Sequence, residues 1–269
     1  MPSAVRIRFD ALPPFSPILG RILPMMADGS LNYRVLGETI SADPSLTAQV
    51  LRLANSALFG RRGEVRSLLA ALTLLGIDRV YSLVLTSGLK RMAARAARWP
   101  ASRRCWRHSL ATALLAADMT LDHFGDMAED YTAGLLHDLG RFLLLMAEPP
   151  SYSALLDRAA AEKADSREFE KALFGVTHEE AGAEAMRRYG FPESLCASAG
   201  FHHDPEKASP EQRHRVRLIA CCSQTASMCG FSVIGAGLEP TAEEEEDDDL
   251  SMYLKEKMFE LEASLNAAG

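Results

Sequence analysis

The sequence lacks the patterns that mark exported and membrane proteins. Residues 1–10 do not show the basic segment followed by an apolar segment that a signal peptide requires, and no apolar run approaches the length of a membrane span. The five cysteines are odd in number and form no CxxC pair, which argues against a disulfide framework and against a zinc ribbon. We therefore expect a soluble protein of a reducing compartment, the cytoplasm, with no membrane partner.

Signals for β-strands are also scarce, since the chain contains no Asn-Gly hairpin and no sustained alternation of apolar and polar residues. Apolar residues recur instead at helical spacing, and in residues 43–60 they share one helix face: Leu46, Val50, Leu53, Ala54 and Ala57. Asp43 suits the N-cap of this helix, Pro44 its first residue and Gly60 its terminator. With 269 residues, of which 48% are hydrophobic, the sequence predicts an all-α protein of one large or two small domains.

The same periodicity predicts further helices along the chain. One runs from Ser67 to Leu75 and stops at Gly76, and the next starts near Asp78 and ends before Pro100. Later helices are expected to carry His108 through Leu115, to run from Leu135 through Met146, and to lie around Ala154, at Glu179–Tyr189 and at Val216–Met228.

Charges are unevenly distributed along the chain. No acidic residue lies between Asp78 and Asp118, a stretch that contains eight basic residues: Arg79, Lys90, Arg91, Arg95, Arg98, Arg103, Arg104 and Arg107. By contrast, eight acidic residues without a base lie at 239–249, and without them the formal net charge of −7 would be +1. The Gly- and Pro-bearing, then acidic, segment 235–250 predicts a disordered linker.

The last segment of the sequence predicts an amphipathic helix. In residues 251–265 one face carries Leu254, Met258, Leu261 and Leu265. Two roles stay open for this helix: it binds a partner protein, or it packs back on the body of the protein.

Five of the seven histidines and one aspartate are the candidate metal ligands: His108, His137, Asp138, His178, His202 and His203. Each histidine taken singly is more often a surface or helix-capping residue. Neutral imidazole and carboxylate groups together suit Zn, Fe, Mn or Ni. Because ligands from several helices can converge in the core of a bundle, and because His137 and Asp138 are adjacent on an expected helix, the set predicts a metal site.

Several motifs resemble known families. LLHDLGR at Leu135–Arg141, preceded by WRHSLATA at Trp106–Ala113, resembles the HD superfamily of metal-dependent phosphohydrolases. Five longer segments are similar to the HDOD family, the HD-related output domain: LPPFSPILGRIL (12–23), ISADPSLTAQVLRLANSALFG (40–60), SLLAALTLLGIDRVYSLVL (67–85), FGVTHEEAGAEAMRRYGFPESL (174–195) and HHDP (202–205). The resemblance implies a bacterial, all-helical, two-lobed signal-transduction domain. We expect an N-terminal lobe at 1–100, an HD-like lobe at 101–234, the linker at 235–250 and a C-terminal helix at 251–269.

The resemblance to the related HD-GYP phosphodiesterases implies roles for single residues. His108 matches the first histidine ligand, the adjacent pair His137 and Asp138 the metal-bridging pair, and the remaining members of the set the later ligands: His178, His202 and His203. The chain departs from that pattern at three side chains, since Arg104 and Ser223 stand where that family has carboxylates and Arg141 stands where it has a phosphate-contacting lysine. Its Gly-Tyr-Pro loop is absent too. Asp138 and Arg141 are the catalytic candidates.

Three functions are weighed on this basis. The first is a regulatory module that binds a signalling protein or a nucleotide-type ligand and retains a partial site for Fe, Mn or Zn. The alternative is a metal-dependent phosphohydrolase acting on a nucleotide or cyclic dinucleotide, which the loss of two carboxylates opposes. Nucleic-acid binding through the basic stretch is disfavoured, because that segment matches an HDOD helix pair and long basic side chains are common on solvated helices. The oligomeric state stays open.

Overall fold

The computed structural model describes residues 18, 21, 22, 25, 32–55, 65–120, 126–234 and 249–266. Within these residues it contains helices and turns but no β-strand, which confirms the all-α prediction. The α-helices follow one another as α1 (Tyr33–Ser41), α2 (Pro44–Ala54), α3 (Leu68–Leu75), α4 (Ile77–Ala94), α5 (Pro100–Thr120), α6 (Met127–Leu136), α7 (Leu139–Ala147), α8 (Pro149–Glu162), α9 (Ser166–Phe174), α10 (His178–Arg188), α11 (Glu193–Phe201), α12 (Pro210–Ala226) and α13 (Asp249–Asn266). A 3-10 turn lies at Pro205–Lys207 and a π-helical turn at Ser227–Phe231.

One hydrophobic core connects the N-terminal helices α1–α4 with the later helices. It extends from Leu36 in α1 to Met258 in α13. Helix α4 packs on both α5 and α6, and the hydroxyls of Thr86 and Tyr131 lie 2.9 Å apart across the α4–α6 contact. The expected division of the chain at residue 100 stays a prediction.

The N-terminal helices begin where their capping residues predict. The Asp43 side chain accepts a hydrogen bond from the backbone N–H of Leu46, and Pro44 is the first residue of α2. The Ser67 side chain caps α3 in the same way, through the N–H of Ala70. Helix α2 ends at Ala54, and the predicted terminator Gly60 lies outside the described residues, as does most of the predicted linker, at 235–248.

The continuous helix expected from Leu135 through Met146 is wrong, because the chain turns at His137 and Asp138. Helix α6 ends at Leu136 and α7 begins at Leu139. Both helices bury apolar side chains on the core, so the apolar stripe continues across the break and periodicity does not reveal it. The turn takes the side chains of His137 and Asp138 off a helix face and into the interior, where both are buried.

Two glycines on either side of this turn let neighbouring helices approach closely. A Cβ on Gly134 would lie 2.8 Å from the Cα of Ala113 in α5, and a Cβ on Gly140 would overlap the carbonyl oxygen of His178 in α10. The backbone contact at Gly134 brings α6 against the helix that carries His108. The contact at Gly140 brings α7 against the start of α10, so the two glycines position the His-Asp turn between its neighbours.

Helices α9 and α11 are not predicted by the apolar periodicity. Helix α9 begins after Asp165, whose side chain accepts from the N–H of Arg167. Helix α10 follows it and begins at His178 with a capping box, in which the Thr177 side chain and the Glu180 side chain each accept from the other residue's N–H. This cap fixes the first turn of α10 and with it the backbone of His178.

The C-terminal stretch forms α13, and its apolar face packs on the body. Leu254 and Met258 are buried, while Phe259 on the outer face is 74% exposed. The helix contacts α2, α5 and the π-helical turn. No single described helix is long and apolar enough to cross a membrane; α3 and α4 reach that composition only as a pair, bent by 107°.

Candidate metal centre

The six predicted ligand residues come together in one cluster, which we call the histidine cluster: His108, His137, Asp138, His178, His202 and His203. His108 lies in the middle of α5, His178 begins α10, and His202 directly follows α11. His203 is the exposed member, and the side chains of the other five are buried. The cluster therefore joins four separate parts of the fold and reaches the surface at His203.

Asp138 lies at the centre of the cluster. Its Oδ2 is 3.8 Å from His108 Nε2 and 3.7 Å from His137 Nε2. Its Oδ1 is 3.4 Å from His178 Nε2 and 3.5 Å from His202 Nε2. The two carboxylate oxygens thus face two different groups of imidazoles, as a carboxylate that bridges two cation positions does.

Hydrogen bonds at Nδ1 fix the orientation of four of the imidazoles. Nδ1 of His108 lies 2.9 Å from the Phe231 carbonyl oxygen, and Nδ1 of His137, His178 and His202 face oxygens of Gly134, Glu170 and Ala199. Because a carbonyl or carboxylate oxygen accepts, Nδ1 carries the proton in each ring and Nε2 of the neutral imidazole keeps a lone pair.

These lone pairs converge. The Nε2 atoms of His108 and His137 lie 3.3 Å apart, and neither has a proton to share with the other. The buried Oδ1 of Asp138 has no hydrogen-bond partner among the residues that the structure describes. Lone pairs that face one another beside an unpartnered carboxylate oxygen are stabilised by a cation between them, so the donor set fits a metal ion.

The donors divide into two groups, each with ligand atoms within 4.8 Å of one another. The first group contains His108, His137 and Asp138, and the second contains His178, His202 and His203. In the second group, Nε2 of His178 is 3.1 Å from Nε2 of His203. A tetrahedral ion with bonds of about 2.1 Å has ligand atoms about 3.4 Å apart, close to the 3.4 and 3.5 Å that separate Asp138 Oδ1 from Nε2 of His178 and His202.

A buried polar network supports the cluster from behind. The Glu170 carboxylate in α9 accepts from the His178 backbone N–H at 2.8 Å and from its Nδ1–H at 2.7 Å. Its other oxygen accepts from the Tyr152 hydroxyl, at 2.9 Å, and from Arg141. The Arg141 guanidinium also donates from Nε to Asp138 Oδ2 at 2.8 Å. Glu170 escaped the sequence predictions because nothing in its spacing distinguishes it from the other charged residues of α9.

The electrostatics of the cluster keep imidazoles neutral and carboxylates ionised. Burial lowers the pKa of His108 to about 4, against the attraction of Asp138, and also lowers the pKa values of His137 and His203. Burial alone would raise the pKa of Asp138, but the positive charge of Arg141 outweighs it and holds that pKa well below its usual range. These are the protonation states that metal ligands need at neutral pH.

The three departures from the HD-GYP pattern have definite structural positions. Arg104 donates to the Val233 carbonyl and to Asp157, so its guanidinium is held by these groups. The Ser223 hydroxyl lies 3.1 Å from His108 Nε2, at the edge of the first group. Arg141 is buried and directs its guanidinium at Asp138 and Glu170. Its role as a phosphate-contacting residue stays a prediction that this arrangement does not favour.

The surface beside His203 carries more acidic than basic groups. The Glu179 carboxylate accepts from the His203 backbone N–H at 3.3 Å. Arg167 forms ion pairs with Glu179, Asp165 and Asp204. Asp204 also pairs with Lys207, so two positive charges stand against three carboxylates. The remaining negative charge attracts cations more readily than polyanions.

The comparison with protein-family models identifies one family. A family model described as the HDOD domain matches residues 12–205. An uncharacterized protein from Treponema pallidum (strain Nichols) is 24% identical over 228 residues, which make up 83% of this chain and 44% of that protein. The chain therefore spans less than half the length of this relative.

Solved structures share the fold. An HDOD domain protein with unknown function from Geobacter sulfurreducens matches with a TM-score of 0.74 and 23% identity, over 97% of this chain and 94% of that one. A "Putative phosphohydrolase" from Shewanella amazonensis SB2B matches with a TM-score of 0.67 and 23% identity, over 97% of this chain and 96% of that one. A "Putative signal transduction protein" from Marinobacter aquaeolei VT8 matches with a TM-score of 0.65 and 24% identity, over 96% of this chain and 58% of that one. At identities this low, the structural similarity establishes the fold alone. The function of the site must be argued from its own residues.

Proposed function

Since this chain belongs to the HDOD domain family, we propose that it is a regulatory protein of bacterial signal transduction whose histidine cluster binds a divalent cation. The observation that carries the proposal is the convergence of four histidine Nε2 atoms on the carboxylate of Asp138, whose buried Oδ1 has no hydrogen-bond partner among the described residues. Asp138 and Glu170 carry two negative charges against the single positive charge of Arg141. A bound dication would offset the remaining charge.

The cluster's residues define where the cation binds. His178, His202, His203 and Asp138 Oδ1 would hold one ion, and His108, His137 and Asp138 Oδ2 are the ligands of a second position. Imidazole and carboxylate ligands suit Fe, Mn or Zn. A bound ion would supply Lewis acidity. Ions at the two groups would together connect α5, α10 and the end of α11 through Asp138 in the α6–α7 turn.

This connection is the basis of the regulatory role. A partner or ligand that moves one of the helices changes the distances among the ligands, and a bound ion favours the conformation in which they converge. A signalling protein is the proposed partner, and a nucleotide-type ligand is the second class that the family resemblance suggests. The five unpaired cysteines suit the reducing cytoplasm that we propose as the location.

A metal-dependent phosphohydrolase is the alternative function. The donor set favours it, as does the shared fold with a "Putative phosphohydrolase". Phosphoryl transfer also requires groups that stabilise charge on the phosphate. Arg141 is held inside by Asp138 and Glu170, and the opening beside His203 is acidic, so the regulatory function is better supported.

The test is metal content. Elemental mass spectrometry on protein purified without chelator or nickel resin should find Fe, Mn or Zn near stoichiometry. The matched variant His137→Ala/Asp138→Ala should lose most of it. If neither protein holds metal, even after reconstitution with each ion, the proposal of metal binding is wrong. Partner proteins should then be sought instead.

A further inference from the structure

The hydrogen-bond acceptor for Nδ1 of His108 lies outside the helices that carry the other candidate ligands. His108 Nδ1–H donates to the carbonyl of Phe231, the last residue of the π-helical turn Ser227–Phe231. Phe231 is buried, and the guanidinium of Arg107 lies over its ring, 5.1 Å from the ring centre. The orientation of the His108 ring therefore depends on where this turn is held.

Helix α13 packs on that turn and on both sides of His108. Trp106, two residues before His108, donates from Nε1 to Glu262 at 2.7 Å. At the other end of α5, the Tyr253 hydroxyl donates to Asp118 at 2.9 Å. The same helix also contacts α2 in the N-terminal part of the fold.

The attachment of α13 is small. The π-helical turn ends at Phe231 and residues 232–234 are not helical, so the turn and α13 do not form one continuous helix. Leu254 and Met258 are its buried apolar side chains among the residues whose burial is described, while Met252 and Phe259 on its outer face are 52% and 74% exposed. The helix can therefore leave the body without unfolding the helices that carry the ligands.

We propose that α13 is a detachable strap that holds the π-helical turn and α5 in place, and so keeps His108 in the orientation of a metal ligand. Release of the strap frees the Phe231 carbonyl from its position and lets the His108 ring turn. The first group of the cluster then loses a ligand, whereas the second group, whose ligands begin α10 and follow α11, keeps its three histidines. The predicted loss of metal affinity rests on the proposed function, whereas the predicted rotation of the His108 ring does not.

Two matched pairs of substitutions in the full chain test this. Leu254→Ala/Met258→Ala weakens the buried face of α13, and Met252→Ala/Phe259→Ala changes the exposed face of the same helix by the same number of side chains. In metal-free protein, long-range ¹H–¹⁵N correlation spectra report the tautomer of each histidine. We expect His108 to be Nδ1-protonated in the wild type and in the exposed-face variant, and to become an average of tautomers in the buried-face variant.

Metal binding gives the second readout. In a His178→Ala/His203→Ala background, which removes the second group, calorimetric titration with Co²⁺ should show binding at least tenfold weaker for the buried-face pair and unchanged for the exposed-face pair. If the buried-face pair unfolds, as seen by circular dichroism, Glu262→Ala replaces it. An unchanged His108 tautomer in the loosened protein overturns the inference. Absence of Co²⁺ binding in every protein overturns the proposed function instead, and the tautomer still decides the strap.

Discussion

The carboxylate of Glu170 holds His178 at two points, its backbone N–H at 2.8 Å and its ring Nδ1–H at 2.7 Å. The double contact joins α9 to the first residue of α10 and directs Nε2 of His178 at Asp138 Oδ1. A carboxylate behind a ligating histidine fixes its tautomer and raises its basicity. Glu170 therefore positions His178 within the histidine cluster, although it is not one of the six residues.

Replacing Glu170 with glutamine should weaken both the fold and metal binding. An amide cannot accept all the hydrogen bonds that the carboxylate receives from His178, Tyr152 and Arg141. We expect unfolding free energy to fall by about 2–3 kcal/mol in urea denaturation and metal affinity to fall about 10–100-fold. Glu168→Gln, which neutralises an exposed glutamate of the same helix, is the control. Equal effects of the two substitutions would contradict the role of Glu170.

The sequence predicted the members of the histidine cluster better than the residues that support them. The six cluster residues followed from their residue types and from the family motifs, and the cap at Asp43 followed from local spacing, which short-range physics determines. Glu170 lies among alternating charged residues in α9, and only the tertiary contact with His178 distinguishes it. Likewise, the turn at His137 depends on close approach to other helices, which a stripe of apolar residues does not record.

Gly140→Ala should destabilise the protein strongly. The added Cβ would overlap the His178 carbonyl oxygen, and backbone atoms of two packed helices have no free rotation by which to avoid it. We expect a loss of about 3 kcal/mol or more in unfolding free energy and a loss of metal binding. The control is Gly37→Ala, whose Cβ meets the end of the Leu72 side chain at 3.3 Å. Because alanine favours a helix by up to about 1 kcal/mol, the control should be neutral or stabilising.

Metal-free protein should lose stability as pH falls. The pKa of His108 is about 4 in the folded state against an ordinary value of 6.5, so the unfolded state takes up the proton first. Stability from this group is full above pH 6.5 and declines down to pH 4, by about 3 kcal/mol at most. The pKa of Glu170, about 2 against 4.5, adds a loss in the same direction below pH 4.5.

Urea denaturation in chelator at several pH values measures this dependence. His108→Gln should reduce the slope of the decline between pH 6.5 and 4 without abolishing it, because His137 and His203 also have lowered pKa values. His214→Gln, at an exposed histidine of α12, should leave the slope as in the wild type. A decline of equal slope in both variants would show that another group carries the pH dependence.

Arg141→Met should destabilise the metal-free protein, and metal should recover part of the loss. The substitution leaves Asp138 and Glu170 as buried carboxylates without their guanidinium partner, which costs about 3–5 kcal/mol. A dication in the cluster supplies positive charge to the same carboxylates. Thermal denaturation should thus show a larger rise in melting temperature on adding Zn²⁺ to the variant than to the wild type. Arg158→Met, at an exposed ion pair, should match the wild type. An equal rise in all three would mean that the cation and Arg141 do not share these carboxylates.

Ser223→Asp should strengthen metal binding at the first group of the histidine cluster, which contains His108, His137 and Asp138. The Ser223 hydroxyl lies 3.1 Å from His108 Nε2, and the HD-GYP resemblance places a carboxylate ligand at this point of the chain. An aspartate here adds an oxygen ligand and a negative charge beside His108, His137 and Asp138, which are the conditions that bring two dications close together. Co²⁺ titration should show at least tenfold tighter binding at the first group, and Ser223→Asn, of the same shape without the charge, should not. If the aspartate leaves Co²⁺ binding unchanged while the fold is intact, position 223 does not face the cation, and the first group is limited by the Arg141 guanidinium on Asp138 Oδ2.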